Sequence, residues 1–112
     1  MSEGIGRRGG RWLYHLVVRQ PLPEGRYAPE SLAREGFVHC SYADAVAESA
    51  RLYFAAGADV VAWRIDPARL DVPVEVATTP RGAMPHVRGS VAREAIVAVC
   101  ERGEWGALAD AV

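Results

Sequence analysis

Three short apolar runs limit what this chain can become. Trp12 to Arg19, Asp59 to Asp66 and Ala95 to Cys100 are dense in Val, Ile, Leu, Ala and Trp, and each is too brief for a buried helix. Runs of this length and β-branched content read as strands. The first is apolar on both faces apart from His15, which predicts a central position in its sheet. Turn chemistry brackets them. Pro21-Leu22-Pro23-Glu24-Gly25 ends the first, and Asp66-Pro67 ends the second with a single turn expected from Pro67 to Leu70.

Weaker signals fill the gaps. Val72 to Ala77 alternates, predicting Val72, Val74 and Val76 facing in and Glu75 facing out. Pro29 to Glu35 reads as a short helix stopped by Gly36. A brief strand from Phe37 to Cys40 then sets Phe37, His39 and Ser41 on one face, with Val38 and Cys40 on the other. Ser41 and Asp44 suit the start of the next helix, Ser41 as its cap. Tyr42, Val46, Ala50, Tyr53 and Phe54 supply that helix's apolar stripe, and Gly57 stops it. Thr78 to Gly89 has prolines, glycines and arginines without periodicity and reads as a loop. Glu104 to Ala111 is expected to be a short helix. Strands outnumber long helices without alternating regularly with them, which predicts an α+β class.

The 112 residues suffice for one core, expected over 12–112, with residues 1–11, rich in Gly and Arg, as a flexible tail. A net charge of −1 gives no general pull toward nucleic acid or an anionic membrane, though a local basic patch is compatible with it. All 13 basic residues are arginine. Schiff-base and Walker-type lysine chemistry is thereby excluded, and any phosphate contact must use arginine forks, backbone N–H groups or hydroxyls. Cys40 and Cys100 have neither metal-ligand nor dithiol spacing. No run reaches the ~18 apolar residues of a membrane span. A reduced, cytoplasmic protein is the expectation.

His39-Cys40-Ser41 is the stretch richest in chemistry. It sets an imidazole at a strand end, where small-molecule sites commonly form. His15 and His86 sit in or beside other elements, and imidazole can bind a hydroxyl or serve as a general base near neutral pH. A metal is not expected: His39 and Cys40 diverge from one strand, and no His-x-His or Cys-x-x-Cys occurs. Cys40 as a nucleophile is disfavoured for the same reason, and no Gly-x-Ser-x-Gly elbow surrounds Ser41. Arg81 and Arg88 flank His86 in a segment that could hold a phosphate or carboxylate, or could equally be a solvated surface loop.

The ordered set Tyr14-His15-Leu16, Glu35-Gly36-Phe37-Val38-His39-Cys40-Ser41, Ile65-Asp66-Pro67 and Pro85-His86-Val87-Arg88-Gly89 resembles domain-of-unknown-function family 952, from about Trp12 to Val99. That resemblance implies a small split-sheet α+β domain of ADP-ribosyltransferase type with a cleft for NAD. Within that superfamily, Tyr14-His15 and Val38-His39-Cys40-Ser41 are similar to motifs of the NAD-dependent RNA 2′-phosphotransferases. Carried over, His15 would contact the nicotinamide-side ribose or amide, and Tyr14, His39 and Ser41 would line the cleft. His86, Arg81 and Arg88 would belong to its closing loop, and Glu75 is the candidate for stabilising a ribosyl cation. Leu16-Val17 replaces the Gly-Thr of those motifs. Three readings follow: a nucleotide-binding domain that transfers ADP-ribose, a binding or structural domain that retains the fold without the reaction, and a small hydrolase using histidine as base.

Overall fold

The computed structural model describes residues 10–112. In chain order these form β1 (Leu13–Val18), α1 (Glu30–Glu35), β2 (Val38–His39), α2 (Val46–Tyr53), β3 (Val60–Ile65), β4 (Val74–Thr79), β5 (Gly82–Val87) and β6 (Ile96–Cys100). Single 3-10 turns occupy Ala43–Ala45, Pro67–Arg69 and Arg93–Ala95, and a longer 3-10 segment occupies Arg102–Ala107. The strands make two antiparallel three-stranded sheets, ordered β1-β3-β6 and β2-β5-β4, so the class is α+β.

The three apolar runs build the first sheet because both of its faces are covered over β1 and β3, while β6 leaves Val97 and Val99 exposed on one face. Alternate residues Val61, Trp63 and Ile65 of β3, with Leu13 and Val17 of β1, pack toward the second sheet through Val38, Cys40 and Val87. Val60 and Ala62, with Tyr14, pack on the other side against Val46 and Ala50 of α2 and against Trp105. Each large side chain buried in this way contributes roughly 1.5–3 kcal/mol. Double-sided burial also corrects the expected position of the first strand. It is apolar on both faces yet lies at the sheet edge, and β3 is central.

The second sheet differs most from expectation. The segment 78–89 is not a loop: Thr79 and Gly82 close a two-residue hairpin between β4 and β5. Gly82 takes φ 100°, and the Thr79 hydroxyl donates to the Gly82 carbonyl while accepting from the Arg81 N–H. β4 is an edge strand, so Val76 is exposed rather than inward. Pro85 sits inside the central strand β5 because the β2 ladder ends beside it. The Cys40 N–H donates to the Pro85 carbonyl at 3.2 Å, and proline has no N–H to return.

The two sheets meet at one bridge, where Ser41 and Tyr14 exchange backbone hydrogen bonds of 2.8 Å. Ser41 is therefore strand-like, and it does not cap α2, which starts at Val46 without a side-chain cap. The helix stripe is shorter than expected: Tyr53 is exposed, Phe54 is already extended, and the helix ends before Gly57. Glu104 to Ala111 is not α-helical; Arg102–Ala107 is a 3-10 segment with a Glu101–Glu104 capping box. Of the expected tail, residues 1–9 lie outside the described residues, while Arg11 bridges to Ala111. Among the described residues no helix is long and apolar enough to cross a membrane.

Gly89 is required by a close approach. A Cβ added there would lie 2.6 Å from Val72 Cγ1 and 2.9 Å from Val72 Cβ. Gly89→Ala should lower stability by about 1–3 kcal/mol, since packed side chains must shift. An unchanged urea midpoint in this variant would contradict the packing.

Candidate functional site

Beyond the Tyr14–Ser41 bridge, β1 and β2 splay apart. A cavity of about 820 Å³ opens in the gap, within the roughly 300–1,000 Å³ of small-molecule sites. Tyr14, His15 and Leu16 line it from β1, and His39 of β2 lines it with Cys40 and Ser41, which follow β2. The tip of the β4–β5 hairpin and the α2 face carrying Ser49 and Tyr53 complete the wall.

His15 lies at the root of the split and is sealed. Its Nδ1 is 2.6 Å from the His39 carbonyl and its Nε2 is 2.7 Å from the Tyr27 hydroxyl. A carbonyl only accepts, so Nδ1 carries the proton and Nε2 accepts from Tyr27. The ring packs edge-on to Tyr27 and beside Trp63. Burial pulls its pKa down to about 4, and burial pushes the Tyr27 hydroxyl up to about 12. Both ring nitrogens are thus spent on holding the sheets together. Tyr14 is similarly committed: its hydroxyl donates to the Ala109 carbonyl at 2.6 Å and accepts from Arg64 Nε.

His39 and His86 do meet. They are direct partners across β2 and β5, with ring centroids 5.9 Å apart. Phe37 stacks on His86 at 3.8 Å and 15°, and His39 Nε2 is 3.0 Å from a Glu35 carboxylate oxygen. Burial, then the neighbouring His39 and Arg88 charges, holds the His86 imidazole below its ordinary range. Glu75 is the cross-strand partner of His86 on its other side, but Arg88 Nε and Nη2 both donate to Glu75 Oε1. Neither Glu75 nor Arg88 lines the cavity; Arg88 sits over the Phe37 ring at its edge.

At the other end, Arg81 Nη2 donates to Ser49 Oγ at 2.8 Å, and Ser49 Oγ lies 3.0 Å from Ser41 Oγ. Burial pushes the Cys40 thiol up to about 12, so it offers no thiolate. Phe37, Met84, Glu35 and Ser49 were not singled out as site residues by sequence. Two signals were legible: Phe37, set by alternation on the face of His39 and Ser41, and Ser49, a polar residue at i+3 from Val46 on the helix face that turns inward. Among the described residues no three His, Cys, Asp or Glu side chains are placed to hold a metal.

The buried His15 makes stability pH-dependent. Unfolded, it binds a proton near pH 6.5; folded, only near 4. Between those values the unfolded state holds more protons, so stability falls as pH drops from about 6.5 to about 4, by roughly 3 kcal/mol in total. His15→Gln should flatten this part of the profile. Urea midpoints at pH 7, 5.5 and 4.5 test it, and an equal slope in both proteins would contradict the assignment.

Residues 18–99 match the family described as "Protein of unknown function (DUF952)". The motif Tyr14-His15-Leu16 precedes the matched span. The X-ray crystal structure of Protein CC0527 from Caulobacter crescentus is similar in fold, with a TM-score of 0.68 and 18% identity over 80% of this chain and 84% of that one. A double mutant of the same protein matches at 17% identity, TM-score 0.68, over the same shares. No curated protein matches the sequence. The family match covers well over half of the chain and runs from the end of β1 into β6, so the chain belongs to the DUF952 family of proteins of unknown function.

Proposed function

We infer that the cavity between β1 and β2 binds a small molecule of the nucleotide class, with a planar ring against Phe37, His39 and His86. The observation that carries this reading is the aromatic wall, in which Phe37 is stacked on His86 and His39 stands edge-on to it, beside a cavity of small-molecule size. Aromatic and imidazole faces favour flat rings, at about 1–3 kcal/mol per stacked base. The resemblance to ADP-ribosyltransferase-type domains, and to the NAD-dependent RNA 2′-phosphotransferases, makes NAD the first ligand to try.

Binding without transfer is the form of this reading that the geometry favours. His15 has both nitrogens engaged, and the Glu75 carboxylate is held by Arg88 outside the cavity. Neither group stands free to assist cleavage of a nicotinamide–ribose bond. A hydrolase using His39 as base is less favoured, because its partner Glu35 is exposed and no activated nucleophile lies beside it.

Titration with NAD, AMP and adenosine, following the His39 and His86 ring signals by NMR, tests the reading. Saturable shifts of both rings are expected. Phe37→Ala should weaken binding about tenfold, the loss of one stacked partner. Silence of both rings with all three ligands at millimolar concentration would discard a nucleotide site.

A further inference from the structure

We propose that Ser41, Ser49 and Arg81 form an anion subsite at the α2 end of the cavity, suited to a phosphate or pyrophosphate group. The proposal rests on the preceding reading only in placing the anion and the ring in one cavity. All three residues line that cavity, and the two serines are almost fully buried, 5% and 3% exposed.

Hydrogen-bond bookkeeping supports it. Ser49 Oγ accepts from Arg81 Nη2, and the two serine oxygens share one hydrogen bond. Two hydroxyls carry two hydrogens, and that shared bond uses only one. Whichever serine donates, one O–H remains without an acceptor among the described residues. Buried hydroxyls rarely stay unspent. Among the described residues Arg81 Nη1 likewise makes no hydrogen bond. Donors are therefore in excess at this corner.

The charge balance points the same way. The Arg81 side chain is only 19% exposed, yet its one carboxylate partner among the described residues, Glu48, offers a single oxygen at 3.3 Å to both Nε and Nη2. Glu48 is itself half exposed and also reaches toward Arg51. A guanidinium withdrawn this far from water is usually matched by a two-oxygen anion. Glu48 acts here as a displaceable stand-in. An incoming phosphate takes Arg81 Nη1 and the spare hydroxyl hydrogen, and Glu48 swings to solvent. With no lysine in the chain, an arginine fork beside hydroxyls is also the arrangement its composition leaves for this task.

Inorganic pyrophosphate, titrated into the full chain while following the Ser41, Ser49 and Arg81 amides and the Arg81 Nε–H signal, tests the subsite. Saturable shifts at these positions are expected. Arg81→Gln should weaken binding at least about tenfold and Ser49→Ala about threefold, as charge-assisted and neutral hydrogen bonds are lost. Glu48→Gln should tighten it about threefold, because a competing carboxylate is removed. A purely structural Arg81–Glu48 pair would not produce that gain. If Arg81→Gln does not fold, Ser49→Ala and Glu48→Gln decide the matter between them. Absent shifts, equal affinity in wild type and the arginine or serine variant, or weaker binding by Glu48→Gln would each overturn the subsite. Adenosine separates the two ideas. Pyrophosphate binding while NAD, AMP and adenosine all leave the His39 and His86 rings silent keeps the subsite and discards the ring site, and adenosine binding without pyrophosphate binding does the reverse.

Discussion

The neutral imidazole of His15 is the strut on which the arrangement of the two sheets depends. Tyr14 and Ser41 make a single backbone rung between β1 and the residues that follow β2. Continuing that register would set His39 opposite Leu16, but the strands have already parted. The His39 carbonyl, which a further rung would have paired, instead receives the proton of His15 Nδ1, and Tyr27 closes the other side of the ring. A side chain thus replaces main chain at the fork. The replacement works because burial keeps the ring uncharged and both nitrogens are satisfied.

From that fork the cavity takes its two-sided character. One wall belongs to the second sheet and is aromatic: Phe37, His39 and His86 come together because a two-residue strand pairs with the C-terminal end of β5. The far corner belongs to α2 and the hairpin tip, where Ser49 and Arg81 meet the end of β2 at Ser41. Pro85 links these regions. By ending the β2 ladder after His39, it leaves Ser41 to cross over to β1. Flat-ring chemistry and anion chemistry are therefore set on separate elements, joined by a chain of three residues.

How far the sequence revealed this differed by element. The strands of the first sheet were legible because apolar content on both faces survives any register. Their order was not, since a covered edge strand has the same composition as a central one. The hairpin of β4 and β5 was hidden by Pro80, Gly82 and Pro85, which mimic a loop unless the partner strand is known to stop beside the proline. His39, His86, Arg81 and Ser41 stood out in the sequence for their chemistry, and all four line the cavity. His15 also lines it but is spent on the frame, and Glu75 is tied to Arg88; no sequence pattern tells a satisfied histidine or a paired carboxylate from a free one. Ser49 was overlooked because a serine within a helix is usually solvated. The family itself was legible, and it carries no chemistry with it.

The parting of β1 from β2 has a cost that falls on Leu16. In β1 the groups of Leu13, His15 and Val17 face β3, so the amide and carbonyl of Leu16 face the gap, and neither has a partner among the described residues. Partly buried main-chain polar groups still demand company. Whatever enters the cavity beside Leu16 therefore inherits an obligation: it must offer a donor and an acceptor to these two groups, or bind more weakly than its contact area would suggest.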